Sequence, residues 1–70
     1  MTNIKHFFLN GEKYSTISNL TIFEIIQYFN YNSKLLVLEY NNSICNKRYW
    51  NKIKIKNNDK VEIVTIVGGG

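Results

Sequence analysis

The clearest helix signal in this chain is Leu20-Thr21-Ile22-Phe23-Glu24-Ile25, and it restricts the fold to one short helix seated on strands. Thr21 can accept from the Glu24 amide while the Glu24 carboxylate reaches back, and Leu20 can staple onto Ile25 across the first turn. Ile22, Ile25, Ile26 and Phe29 then recur at helical spacing, which stacks them on one stripe and turns Glu24, Gln27 and Tyr28 elsewhere. The helix spans about two to three turns. Asn30, Asn32 and Ser33, which favour turns and left-handed caps, mark its end.

Everything else reads as strand and turn. Ile4 to Leu9 is β-forming and runs into Asn10-Gly11, the dipeptide that best tolerates a tight hairpin turn, with a return strand over Lys13 to Ile17. The buried face of the first strand stays open, because Ile4/Phe8 and Phe7/Leu9 are both apolar. Leu35 to Tyr40 is an apolar run between Asn-rich turns, which predicts a central strand buried on nearly both faces. Ser43 to Cys45 predicts a short strand, and Asn46 to Asn51 a polar and aromatic loop. Lys52, Lys54 and Lys56 alternate with Ile53 and Ile55, the pattern of an edge strand that buries the isoleucines and displays lysine. After the turn Asn57-Asn58-Asp59, Val61 to Val67 is the longest strand. Val61, Ile63, Thr65 and Val67 fall on one face, and Glu62, Val64 and Ile66 on the other. A hairpin, a helix and further strands in so short a chain argue an α+β layer of one helix on one sheet. One helix covers one face, so the side carrying Val64 and Ile66 is expected to meet a partner.

Seventy residues leave room for one domain, and a core this small seldom supplies more than about 3–5 kcal/mol without a staple. A single cysteine, Cys45, allows no internal disulfide. With the single histidine, His6, it cannot build a four-ligand zinc site. Hydrophobic residues make up 44% and aromatic residues 14%, the composition of a chain that folds, though marginally. The longest apolar run, Leu35 to Leu38, falls far short of the roughly 18 residues a membrane span needs, and no signal-peptide stretch opens the chain. A soluble chain with no membrane partner, in a reducing compartment, is the expectation.

After Val67 the chain reads Gly68-Gly69-Gly70, three of its four glycines. Glycine has no Cβ, so such an arm can lie extended in a channel too narrow for side chains. Its only chemistry is the Gly70 carboxylate, a poor acyl donor until AMP from an ATP-using partner turns it into a mixed anhydride that a sulfur nucleophile can attack.

Taken together, Asn10-Gly11, Leu20-Thr21 with Glu24, the strand Leu36 to Tyr40 followed by Asn41, Ile44 to Trp50, the turn ending in Asp59, and Val61-Glu62-Ile63-Val64 leading to Val67-Gly68-Gly69-Gly70 resemble the ThiS family. These are the sulfur carrier proteins of thiamine biosynthesis, and the resemblance covers essentially the whole chain. It implies a ubiquitin-like β-grasp fold, a mixed sheet with one main helix packed on one face. The domain would occupy residues 1–67, with residues 68–70 as a flexible glycine arm. It further implies that Gly70 is adenylated by a ThiF-type enzyme and converted to a thiocarboxylate. The sulfur would come from a cysteine desulfurase or rhodanese-type donor and pass to a ThiG-type thiazole synthase. The chain would then be a cosubstrate and not an enzyme. It would hold no cofactor, with ATP and magnesium belonging to the activating partner, since no phosphate-cradling Gly-rich loop with Lys occurs here. Two positions depart from the family: Asn46 stands where a Pro is frequent, and Asn58 where the late turn has Gly.

Val64 and Ile66 are expected to dock alternately on the two partner enzymes, with Trp50, Tyr49, Lys47 and Arg48 as the rim; packing of Trp50 into a minor core is the competing placement. A molybdopterin-synthase small subunit or another β-grasp carrier shares the fold and the glycine tail. The alternative from another class is a small nucleic-acid-binding domain. Lys47, Arg48, Lys52, Lys54, Lys56 and Lys60 are six of the nine basic residues, and Tyr49 and Trp50 are able to stack on bases. A solvated lysine edge explains the same alternation, and nucleic-acid binding has no use for a Gly-Gly carboxylate. Cys45 reads as a small hydrophobe, His6 as a surface or sheet histidine, and Asp59 and the glutamates as caps, turns and solvated charge. An AT-rich codon bias, visible in the wealth of Lys, Asn and Ile and the lack of Ala, points to the cytoplasm or a plastid stroma.

Overall fold

The computed structural model describes residues 3–31 and 36–65. The chain opens with the antiparallel hairpin β1 (Lys5–Leu9) and β2 (Glu12–Thr16). Asn10 at φ 51 and Gly11 at φ 84 turn it through two left-handed residues, the geometry that matches the strand twist. Helix α1 (Ile22–Tyr28) follows, then the second hairpin β3 (Leu36–Tyr40) and β4 (Ser43–Ile44), turned by Asn41 and Asn42, both also left-handed. A 3₁₀ turn (Lys47–Tyr49) and an extended crossover lead to β5 (Asp59–Thr65). The five strands lie in the order β2-β1-β5-β3-β4, with β5 parallel to β1 and antiparallel to β3.

The helix begins and ends as the sequence predicts. Thr21 Oγ1 accepts from the Glu24 amide at 3.1 Å, and the Thr21 amide donates to Glu24 Oε1 at 2.9 Å, a complete capping box. At the other end Asn30 takes φ 63. Its amide donates to the Gln27 carbonyl and the Tyr31 amide to the Ile26 carbonyl, the paired bonds of a Schellman cap. Ile22, Ile25 and Ile26 are buried, with Phe29 packed at the margin. They meet Phe7, Leu9, Leu38, Val61 and Ile63 from the sheet, which settles that Phe7 and Leu9, rather than Ile4 and Phe8, point inward.

The structure revises several expectations. The central strand is β5 and not the Leu35–Tyr40 segment, whose described part β3 lies one place from the edge, with Val37 39% exposed on the uncovered face. Lys52 to Lys56 does bury Ile55 and half-bury Ile53 beneath exposed lysines, yet it is not an edge strand. A single bridge joins Thr21 to Lys54. The reason is a competing use for its backbone: the amides of Ile22 and Phe23, unpaired inside a first helical turn, donate to the carbonyls of Ile53 and Trp50 at 3.0 Å. The crossover therefore closes the helix N-terminus and not the sheet. Asp59 is not a solvated turn residue either. It is 6% exposed and accepts from Tyr40 Oη at 2.6 Å, the Lys56 amide at 2.7 Å and Asn41 Nδ2 at 3.1 Å. The expected strand residues Leu35, Ile66 and Val67, the turn residues Asn32 and Ser33, and the arm Gly68 to Gly70 lie outside the described residues.

Candidate functional site

Strand β5 carries the described chain toward the glycines, so its neighbours define the candidate site. It pairs with β1 only as far as Leu9 opposite Val61. Beyond that the Asn10 side chain takes over, its Oδ1 accepting from the Ile63 amide at 2.7 Å while the Asn10 amide donates to the Val61 carbonyl at 2.9 Å. On the opposite side β3 stays paired out to Leu36 opposite Thr65. The end of β5 is thus held along one edge by a full strand and along the other by one asparagine. In sequence Asn10 reads as a hairpin residue alone.

Register sets the face that helix α1 leaves uncovered. Val64 lies opposite Val37, Glu62 opposite Glu39, and Glu39 opposite Ile44. Val64 is 62% exposed, Val37 beside it is 39% exposed, and Ile44 one strand further out is 75% exposed, giving a short apolar strip near the described end of β5. Val64 therefore stands on the open face as expected, while Ile66 and Gly68 to Gly70 lie outside the described residues. Val37 and Ile44 were missed. The period of 2 along each strand contained them, but only the pairing register brings Val37 beside Val64 and Ile44 beside Glu39, one strand further out.

Trp50 does not belong to this surface. It is 2% exposed, sits in the core with Ile22 and Ile55, and donates its indole N–H to the Cys45 carbonyl at 3.0 Å. A buried indole with its one donor satisfied is a packing residue. Tyr49 beside it is exposed, with the Arg48 guanidinium 5.9 Å from its ring centre. Lys47, Arg48, Lys52, Lys54, Lys56 and Lys60 are all exposed, the first five on the 3₁₀ turn and crossover.

Cys45 and His6 are held in structural roles. Burial pushes the Cys45 thiol up, away from the thiolate that attacks carbonyls or binds metal. His6 pairs its Nδ1 with Ser15 Oγ at 2.9 Å across the hairpin. Among the described residues no three His, Cys, Asp or Glu side chains gather in a way that would hold a metal ion. The Tyr40 hydroxyl is pushed up to about 12 by burial and by its hydrogen bond to Asp59, which keeps it a donor. A cleft of about 370 Å³ opens between α1 and β2 over Phe7, Tyr14, Ile25 and Phe29, but the Glu24 carboxylate at its wall is committed to the helix cap. No helix among the described residues is long and apolar enough to cross a membrane.

The sequence model of the ThiS family matches residues 7–70 of this chain. The chain belongs to the ThiS family. As a member it has the ubiquitin-like fold of the small sulfur carriers, and its sheet with one helix is similar to a solved thiamine biosynthesis protein (ThiS) from Geobacter metallireducens. That likeness has a TM-score of 0.78 at 19% identity over 93% of this chain and 99% of the other, and it bears on the fold. In sequence the ThiS-family chain is similar to the protein ycf40 of Trieres chinensis, 57% identical over 70 residues, which is 100% of this chain and 96% of the relative. It is also similar to ycf40 of Porphyra purpurea, 36% identical over 62 residues, covering 89% of this chain and 87% of the relative. Family membership supports a sulfur-carrier role.

Proposed function

We propose that the chain carries sulfur as a carboxy-terminal thiocarboxylate on Gly70 and delivers it for the thiazole ring of thiamine. The observation that carries this reading is that the family match runs through residue 70 and so takes in all three terminal glycines. The chemistry follows from what a carboxylate lacks. Oxide is too poor a leaving group for sulfur to displace, so ATP must first convert the Gly70 carboxylate to an acyl adenylate with release of pyrophosphate. A sulfur nucleophile then attacks the carbonyl and AMP departs. Gly68 and Gly69 form the thin arm that brings this carbonyl into a partner's active site. The activation belongs to a ThiF-type adenylating enzyme with its own ATP and magnesium, and the acceptance of sulfur to a ThiG-type thiazole synthase. The donor is a persulfide from a cysteine desulfurase or rhodanese-type protein. Its outer sulfur displaces AMP to give an acyl disulfide, and a thiol then cleaves the S–S bond, releasing the Gly70 thiocarboxylate and leaving the donor sulfur in a disulfide.

In this reading the chain is a cosubstrate, and the uncovered face of the sheet, with Val64 and Ile66, docks on each enzyme in turn. Sharing one face makes the two complexes mutually exclusive. The exposure of Val64 beside Val37, with exposed Ile44 on the next strand, supports that role. The AT-rich composition bias supports a cytoplasmic or plastid-stromal setting.

The test is ATP–pyrophosphate exchange by a purified ThiF-type enzyme, with the full chain and a chain lacking Gly70. Exchange that depends on the full chain and vanishes on removal of Gly70 is the expected result. No exchange with an enzyme proven active on another carrier would refute the assignment.

A further inference from the structure

The five acidic side chains of this chain divide into two kinds. Three serve the fold: Glu24 closes the helix cap, Asp59 gathers three donors, and Glu12 accepts from the Tyr14 hydroxyl at 3.4 Å. The other two, Glu39 and Glu62, are set directly opposite each other by the β3–β5 register, in the middle of the uncovered face. Opposed side chains on an antiparallel pair have Cβ atoms about 5 Å apart, and like charges so placed repel. The arrangement works against the fold, in a chain whose surplus charge is basic.

What surrounds the pair gives it a use. Val37 and Val64 form the next opposed pair toward the arm, Ile44 stands beside Glu39, and Lys60 follows Glu62 on the same side of β5. From the described end of β5 back along the strand, the face therefore presents Val64 with Val37, then Glu62 with Glu39 flanked by Ile44, then Lys60. A partner matching that order offers an apolar patch followed by a cation that accepts two carboxylates at once. Arginine meets this geometry best, since its planar guanidinium presents donors on separate edges and sheds water more readily than an ammonium. A nucleic-acid backbone does not fit, because the acidic pair repels phosphate.

We propose that the uncovered sheet face docks a protein surface whose apolar patch seats on Val37, Ile44 and Val64 and whose arginine bridges Glu39 and Glu62. The proposal rests on the docking reading above and adds the partner's chemistry. It also implies a conflict between folding and binding at one pair of residues: neutralising either glutamate relieves repulsion in the free chain and removes half of the arginine's seat in the complex.

The experiment measures binding of the full-length chain to a purified ThiF-type activating enzyme over a range of salt, together with the thermal midpoint of the free chain. Glu39→Gln and Glu62→Gln are each expected to bind about tenfold more weakly, the contribution of one charge-assisted bond. The doubly reversed E39K/E62K chain should bind at least about a hundredfold more weakly. The Gln variants should also lose part of the salt dependence seen with the natural chain and melt no lower than it does. Natural chain that binds and is adenylated, with Gln and Lys variants equal to it in affinity, overturns the arginine seat and leaves the sulfur-carrier reading standing. Weakened binding matched by a lower melting point in every variant overturns it also, as a folding defect. Failure of the natural chain to bind or be adenylated overturns both.

Discussion

Asp59 is the polar residue on which the described fold depends most, and Asp59→Ala measures that dependence. Its carboxylate accepts from Tyr40 Oη at 2.6 Å and from the Lys56 amide at 2.7 Å, both on Oδ2, and from Asn41 Nδ2 at 3.1 Å on Oδ1. The three donors tie β3, the turn after it and the end of the crossover to the first residue of the central strand. Asn41 is exposed and rehydrates cheaply after the change. The Tyr40 and Lys56 bonds are partly buried, and a bond to a charged group contributes about 1.5 kcal/mol at the low end. The loss is therefore about 3 kcal/mol. A 70-residue domain melts about 7 °C lower per kcal/mol removed, so the midpoint should fall by about 20 °C. Thermal unfolding followed by circular dichroism gives the number directly. Tyr40→Phe, which removes one donor and leaves Asp59 the other two, should cost about half as much. An Asp59→Ala chain melting within about 3 °C of the natural one would refute the argument that this network locks the central strand.

The Tyr40 hydroxyl adds a pH signature. Its folded value of about 12 lies above the ordinary 10.0, so the neutral phenol is favoured in the fold; the stabilisation is complete below pH 10 and is lost as pH rises toward 12. Alkaline melts should show that loss in the natural chain and a smaller one in Tyr40→Phe, since burial also raises Tyr14 and Cys45. Trp50→Ala should cost about 3–5 kcal/mol and leave the chain largely unfolded at 37 °C, whereas Val64→Asp should melt within a few degrees of the natural chain and lose affinity for the activating enzyme. Removing the helix cap with Thr21→Ala should cost about 1 kcal/mol in the same thermal assay.

Local signals in the sequence were strong wherever a short-range interaction decides the structure. The capping box, the left-handed Asn30 and the Asn10-Gly11 turn each involve residues within a few positions of one another, and each took the form the sequence predicts. What failed was decided at long range. Lys52 to Lys56 has a strand's alternation, and its burial follows that pattern, but its Ile53 carbonyl and Ile55 amide are drawn to the segment that starts the helix, which the alternation does not encode. Asp59 looked like any turn acid until Tyr40 arrived from 19 positions away. The site divides in the same manner. Val64 on the open face was legible from parity along one strand, whereas Val37, Ile44 and the facing Glu39 and Glu62 required knowing which strands pair and in what register. Trp50 could not be placed from its neighbours, because an aromatic residue in a basic loop suits a rim or a core equally. Its satisfied indole N–H and its burial decide for the core.

The central claim is that Gly70 carries sulfur. Intact-protein mass spectrometry tests it most directly, after incubating the chain with ATP, magnesium, a ThiF-type enzyme and a persulfide source, beside a chain lacking Gly70. The account predicts that one terminal oxygen is replaced by sulfur in the full chain and that the truncated chain keeps its mass. A full chain that gains neither adenylate nor sulfur, with an activating enzyme proven competent on another carrier, would contradict it.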